Sequence, residues 1–143
     1  MRIWLLDTGP LVAYLVASEK EHPQVVARLD TFTGQLVTTN AVITEAMHFV
    51  VKARKGPALL SEFVAQSGLQ VVDFSQADDL AEAARRMEKY ADLPMDYADA
   101  TLVLLGERLK VFEILTLDRR GFSVFKTSRG KRFKLLLDQP EIG

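Results

Sequence analysis

The run Ile3-Trp4-Leu5-Leu6 has no polar face and stops abruptly at Asp7-Thr8-Gly9-Pro10. An apolar stretch this short, closed by turn-forming residues, reads as a strand buried on both sides. Such strands belong to parallel sheets covered by helices on each face, and the rest of the chain keeps to that constraint. Pro10 suits the first turn of a helix through Val16. A second helix follows Pro23, and Leu36-Val37-Thr38-Thr39 has the β-branched composition of another strand. Asn40 offers an N-cap to an apolar helix from Ala41 to about Lys55, where Lys52, Arg54 and Lys55 complement the helix dipole before Gly56-Pro57 breaks it.

The same alternation continues downstream. A helix from Pro57 to Gln66 ends at Gly68, and Leu69 to Phe74 forms a third strand. Ser75 caps a polar helix from Gln76 to Ala91 whose apolar face carries Leu80, Ala83, Ala84 and Met87. Pro94 opens a helix from Met95 to Leu109, before a strand from Val111 to Leu117. Two short candidates, Ser123 to Lys126 and Phe133 to Leu137, extend one edge of the sheet. Strands alternating with helices predict an α/β fold with a mainly parallel sheet between helical layers.

At 143 residues, 48% apolar and 26% charged, the chain has the size and composition of one folded, soluble domain. No window reaches the roughly 18 consecutive apolar residues of a membrane span. The N-terminal stretch meets Asp7 too early to form the apolar region of a secretory signal, and there is no cysteine to form a disulfide. A cytoplasmic location is expected. The formal net charge of -1 hides an uneven distribution: Arg119 to Lys134 holds Arg119, Arg120, Lys126, Arg129, Lys131, Arg132 and Lys134 and no acid. Those bases either neutralise a polyanion beside the functional site or form a solvated edge that discourages strand pairing.

In open parallel sheets, ligands bind beyond the carboxyl ends of the strands. Asp7 directly follows the first strand and Asp118 directly follows Leu117. For each, a turn-forming Asp that caps the next element is the ordinary alternative. Glu45 lies in a helix that is apolar around most of its circumference, so its carboxylate must reach solvent, find a cation or be protonated. Asp96 and Asp99 sit three apart at the start of a helix. Asp96 reads as its N-cap, whereas the apolar run Ala100 to Leu105 drives Asp99 toward the core and the strand ends. If Asp7, Glu45, Asp99 and Asp118 converge, their charges cannot all persist near neutral pH without raised pKa values or a counter-charge, which a divalent cation supplies. Hard oxygen ligands, with no cysteine and no zinc-type histidine spacing, favour Mg²⁺ or Mn²⁺. His22 and His48 read as surface or helix-filling residues and are assigned no ligand role.

In combination, four segments resemble the PIN-domain ribonucleases, including the toxins of VapBC toxin-antitoxin pairs. They are Leu5-Leu6-Asp7-Thr8, Thr38 to Glu45, Met95 to Leu102, and Ile114 to Phe122. The resemblance runs to about Phe125 and implies a PIN-like three-layer α/β/α sandwich over residues 1–143, with 126–143 a basic extension of the sheet. It implies Asp7, Glu45, Asp99 and Asp118 as an acidic quartet around Mg²⁺ or Mn²⁺, with Asp96 a candidate fifth member and Thr8 and Thr116 as hydroxyls near the substrate. Arg119 and Arg120 flank Asp118 and are candidate substrate contacts. It also implies single-stranded or structured RNA as substrate, cleavage by a metal-activated water, a homodimer, and a small antitoxin as a candidate partner. Gly121 stands where relatives often carry another acid. Two competing readings are a phosphohydrolase using Asp7 as nucleophile, against which Gly9 occupies the position of the usual second acid, and a non-catalytic regulator that binds RNA or protein.

Overall fold

A computed structural model describes residues 1–138, and in it five parallel strands form one sheet. The elements run β1 (Ile3–Leu6), α1 (Thr8–Leu15), α2 (His22–Asp30), β2 (Gln35–Thr39), α3 (Asn40–Val50), α4 (Gly56–Ser67), β3 (Gln70–Val72), α5 (Ala77–Lys89), α6 (Tyr97–Leu109), β4 (Glu113–Leu115), α7 (Arg119–Phe122) and β5 (Lys134–Leu135). A 3₁₀ turn, Leu136–Asp138, follows. The strand order is β3-β2-β1-β4-β5, every neighbouring pair parallel. The chain builds outward from β1 to β3, then crosses back to place β4 on the other side of β1. Right-handed crossovers put the helices before and after that reversal on opposite faces of the sheet. The expected α/β/α architecture is therefore present. No helix among the described residues is long and apolar enough to cross a membrane.

The central strands are as apolar as expected: Leu5, Leu6, Ile114 and Leu115 are fully buried, and Val37 nearly so. The deepest helix is α6, where everything from Ala98 to Gly106 is buried, as expected of a helix apolar nearly all round. Its amphipathic partner α5 differs from the sequence expectation. Leu80 and Ala84 are exposed, and the buried side carries Asp79 and Ala83, with Arg86 and Met87 half-buried. The helix is rotated so that ion pairs face α6: Arg86 donates twice to Glu107 (2.6 and 3.0 Å) and Arg108 pairs with Asp79.

Other local expectations shift for identifiable reasons. Thr39, not Asn40, caps α3 by accepting from the Val42 amide, while the Asn40 side chain accepts from the Phe74 amide and ties α3 to the β3 exit. The helix ends at Val50, so Lys52, Arg54 and Lys55 lie beyond it. Lys55 turns left-handed (φ 58°), and Gly56 is required because a Cβ there would lie 1.8 Å from the Val50 carbonyl oxygen. Ser75 does not cap α5: Gln76 holds that position without a side-chain bond, and the Ser75 amide donates to Asp73.

The expected strand at Ser123–Lys126 is absent. Phe122 and Phe125 instead turn inward, edge to face with each other at 5.2 Å, and Phe122 also meets Phe133. The expected strand at Phe133–Leu137 shortens to β5, and residues 139–143 of the basic extension lie outside the described residues. Between them, Lys126 to Arg132 folds back on itself through a single antiparallel bridge. This turn docks on the last turn of α6 and the entry to β4, where the Ser128 amide donates to Glu107 and the Lys134 amide to the Phe112 carbonyl. The basic turn thus sits at the amino ends of the strands.

Gly106 sets how closely α6 approaches the sheet. A Cβ there would lie 2.8 Å from both the Val111 carbonyl oxygen and a Phe133 ring carbon, and 3.3 Å from Leu5. Gly106→Ala gains about 1 kcal/mol of helix propensity but meets an overpacking cost of about 1–3 kcal/mol. The expected result is a lower urea midpoint with unchanged m-value. An unchanged or higher midpoint would show that the helix end moves freely.

Candidate active site

The strand order reverses between β1 and β4, and in a parallel sheet that switch point opens a crevice at the carboxyl ends of the two strands. Asp7 immediately follows β1, and its amide still bonds to the Leu115 carbonyl of β4 (3.0 Å). Three residues past β4, Asp118 enters the same crevice. The third contributor is α6, which presents Asp99 from its first turn, and the fourth is α3, which presents Glu45 from its middle. All four line one cavity of about 520 Å³, joined by Asp96 and by Glu19 and Glu21 from the turn after α1. Its apolar lining comes from Val12, Ala13, Phe49, Pro94 and Leu117, and no Lys, Arg or His lines it.

Local hydrogen bonds aim these carboxylates. Asp7 is 7% exposed; it caps α1 by accepting from the Thr8 amide (2.8 Å) and accepts from the Thr116 hydroxyl (2.6 Å). The Thr116 hydroxyl in turn accepts from the Asp118 amide (3.0 Å), so one side chain holds both switch-point acids. Asp96 and Asp99 form a reciprocal capping box, at 2.8 and 3.1 Å. Asp96, expected to cap α6, does so, and it is exposed. Asp118 caps the short α7 through the Gly121 amide (3.0 Å). Gly121 is needed because a Cβ there would lie 2.4 Å from the Asp118 carboxylate.

Two of these acids have strongly displaced titrations. Burial pushes Asp7 up from 3.8 to about 6, against the bonds from Thr116 and Thr8, with further upward pressure from Asp96 and Glu45. Burial likewise pushes Asp99 up from 3.8 to about 8, reinforced by the charges of Asp96, Asp7 and Asp118. These mutual effects express how near the acids are to one another. Among the described residues, no three such side chains are drawn together closely enough to hold one ion as they stand.

The structure places the two threonines, expected as hydroxyls near the substrate, differently from each other. Thr116 is 1% exposed, and its hydroxyl donates to Asp7 and accepts from the Asp118 amide, so it positions both. Thr8 lines the cavity, but its hydroxyl is buried and has no protein hydrogen-bond partner. Arg119 and Arg120 are exposed on α7 outside the cavity lining. His48 is exposed, and the His22 ring bonds the Ala13 carbonyl (2.7 Å), so both keep the structural places expected of them. The basic residues Lys126 to Lys134 do not flank the acids, because their turn lies at the other end of the sheet. Sequence reasoning missed Glu19, Glu21 and Phe49. The only available signal for Phe49 was its spacing of four residues from Glu45.

An all-parallel sheet whose switch-point crevice is walled by carboxylates defines a class of α/β proteins with an acidic cleft. More particularly, the chain belongs to the PIN domain family, whose model matches residues 4–126. It is 34% identical over 136 residues to "Ribonuclease VapC26" of Mycobacterium tuberculosis (strain ATCC 25618 / H37Rv), covering 92% of this chain and 98% of that one. Among solved structures it resembles Mycobacterium tuberculosis VapC20, described as a sarcin-ricin loop cleaving toxin, with a TM-score of 0.73 and 15% identity over 82% of this chain and 90% of that one. It also resembles VapBC2 of Rickettsia felis bound to a promoter DNA fragment, with a TM-score of 0.65 and 14% identity over 93% and 98% of the two chains.

The raised carboxylates predict an inverted pH dependence for the metal-free chain. Asp7 and Asp99 hold protons to higher pH folded than unfolded, so their stabilising contribution is complete below about pH 4 and is lost as pH rises through about 6 and then 8. Asp99→Asn keeps the capping geometry and removes the upper step. In EDTA at pH 8 the variant should melt about 3 °C or more above the parent, with the gap closing at pH 5. Equal melting temperatures at pH 8 would contradict the burial and crowding of Asp99.

Proposed function

We propose that this chain is a divalent-metal-dependent endoribonuclease, the toxin of a toxin-antitoxin pair. The observation that carries the reading is its relationship, over nearly the whole of both chains, to a protein named as a ribonuclease. The acid-walled cavity supports it chemically. Hard carboxylate oxygens, two of them on strongly raised groups, with no base lining the cavity, are suited to Mg²⁺ or Mn²⁺. Asp7, Glu45, Asp99 and Asp118 would hold the ion, with Asp96 as an outer member. Such an ion, when bound, lowers the pKa of a water and offsets charge developing on a phosphodiester.

The protein's own part is positioning. Thr116 orients Asp7 and steadies the Asp118 backbone; the capping box sets the Asp99 side chain at the cavity wall; α3 brings Glu45 across from the opposite side. The tertiary arrangement also bears on the phosphohydrolase alternative. Both Asp7 oxygens accept hydrogen bonds, which blunts a nucleophile, and Gly9 packs against Leu117 where a second acid would be needed. A non-catalytic regulator has no specific observation in its favour.

The reading further takes RNA as substrate, a homodimer in the cytoplasm, and a small antitoxin as partner. Support for the last comes from the structural relatives: one is the VapBC2 complex, another is described as FitAcB from Neisseria gonorrhoeae, at a TM-score of 0.56. Residues 126–143 are taken as an extension of a single PIN-like domain, consistent with the family match ending at 126.

Incubation of the purified chain with RNA and Mn²⁺ tests the activity. Cleavage should stop in EDTA and fall about 100-fold or more in Asp99→Asn, the equivalent of the several kcal/mol that a metal supplies. No cleavage by the parent, or undiminished cleavage by the variant, would refute the nuclease assignment.

A further inference from the structure

Of the Phe, Tyr and Trp side chains among the described residues, Phe49 alone is exposed. It is 51% exposed, on α3, one helical turn beyond Glu45, and like Glu45 it lines the acid cavity. Side chains four apart share a helix face, so an acid and a phenyl ring stand side by side at the cavity wall. Packing does not account for the ring's position. Its aromatic neighbour is His48, edge-on at 5.7 Å and itself exposed. Nor do bases account for how a polyanion would be held here, because none lines the cavity and the basic turn is at the opposite end of the sheet. What the cavity offers a nucleic acid directly is a flat apolar face beside carboxylates.

We propose that Phe49 is a stacking platform for an unpaired nucleobase adjoining the phosphate that enters the cavity. The inference rests on the ribonuclease reading. Every base has a π-face, so the platform supplies affinity without reading sequence. A base inside a continuous duplex is already stacked and paired and cannot reach it. With acidic walls, the aromatic contact carries a larger share of substrate binding than phosphate contacts do, so binding should depend on salt less steeply than in a protein that grips the backbone with Lys and Arg.

Phe49→Ala, Phe49→Leu and Phe49→Trp separate a stacking role from simple apolar contact. With a single-stranded RNA oligonucleotide and Mn²⁺, KM should rise about ten-fold or more in Phe49→Ala, with a much smaller change in kcat. Phe49→Trp should restore the parent KM and Phe49→Leu should not. The melting temperature should be unchanged throughout, as for an exposed side chain. Adding RNA to Phe49→Trp should also quench its fluorescence, whereas Trp4, buried and stacked on Phe32 at 3.8 Å, stays silent. A Phe49→Ala KM within two-fold of the parent, or rescue by Leu as complete as by Trp, overturns the platform. So does a Phe49→Ala change confined to the gel-filtration volume, which would make the ring a contact between copies of the chain. If the parent fails to cut RNA at all, the nuclease reading falls on its own, and the quenching titration still decides whether a base stacks on residue 49.

Discussion

One hydroxyl holds the two sides of the cleft together. Thr116 Oγ1 donates to Asp7 and accepts from the Asp118 amide, linking the end of β1 to the chain leaving β4 at the point where the sheet reverses its order. Being buried, this three-membered chain of bonds is screened little by water, and each link polarises the next. It orients a carboxylate that would otherwise have a choice of rotamers, and it places the Asp118 backbone so that the following turn can close on Gly121. The bond only partly offsets the cost of burial, since Asp7 still rests at about 6. The site is thus positioned by an interaction that leaves its main group unsatisfied as an anion.

The acids of the cleft also cap helices. Asp7 opens α1, Asp99 is the inner member of the box that opens α6, and Asp118 opens α7. Capping and ligand roles are often set against each other when an Asp follows a strand, yet in this fold they are compatible. A parallel sheet gathers helix N-termini at the carboxyl ends of its strands, and their partial positive charge favours carboxylates there. That field and the amide bonds let the chain bring several acids together with no basic side chain in the cavity lining. Glu45 stands apart. It projects from the middle of α3 with no cap to make, so its place at the cavity follows from helix packing alone.

That difference also sets what was legible in sequence. Asp7, Asp99 and Asp118 are each marked by a strand end or helix start, and the parallel sheet follows from the apolar strand runs, so the cleft could be anticipated from local pattern. The place of Thr116 between Asp7 and Asp118 was not legible, because its burial and its second bond to Asp118 are tertiary facts. The expected α5 face was half right for a related reason: Ala83 and Met87 turn inward, but Leu80 and Ala84 do not, and Asp79 and Arg86 take that side by pairing with Arg108 and Glu107 of α6. Phe125 looked like a strand residue and became a core aromatic packed edge to face against Phe122 and Tyr90. Glu19 and Glu21 had no pattern to announce them, since only the length of the turn after α1 carries them to the cavity.

The near-zero net charge conceals a molecule divided end to end. Carboxylates collect at the carboxyl ends of the strands, while the turn with Lys126, Arg129, Lys131 and Arg132 packs against the amino ends. The proposed phosphodiester substrate would meet a repelling sign there, and the bases nearest the acids in sequence, Arg119 and Arg120, lie outside the cavity lining. The same carboxylates also weigh against the fold when ionised, as the raised Asp7 and Asp99 show. A cation placed among them relieves both at once. If the proposed ion and RNA bind in this cleft, ion binding, stability at neutral pH and access for RNA would depend on one another, because all three would depend on how the same few charges are balanced.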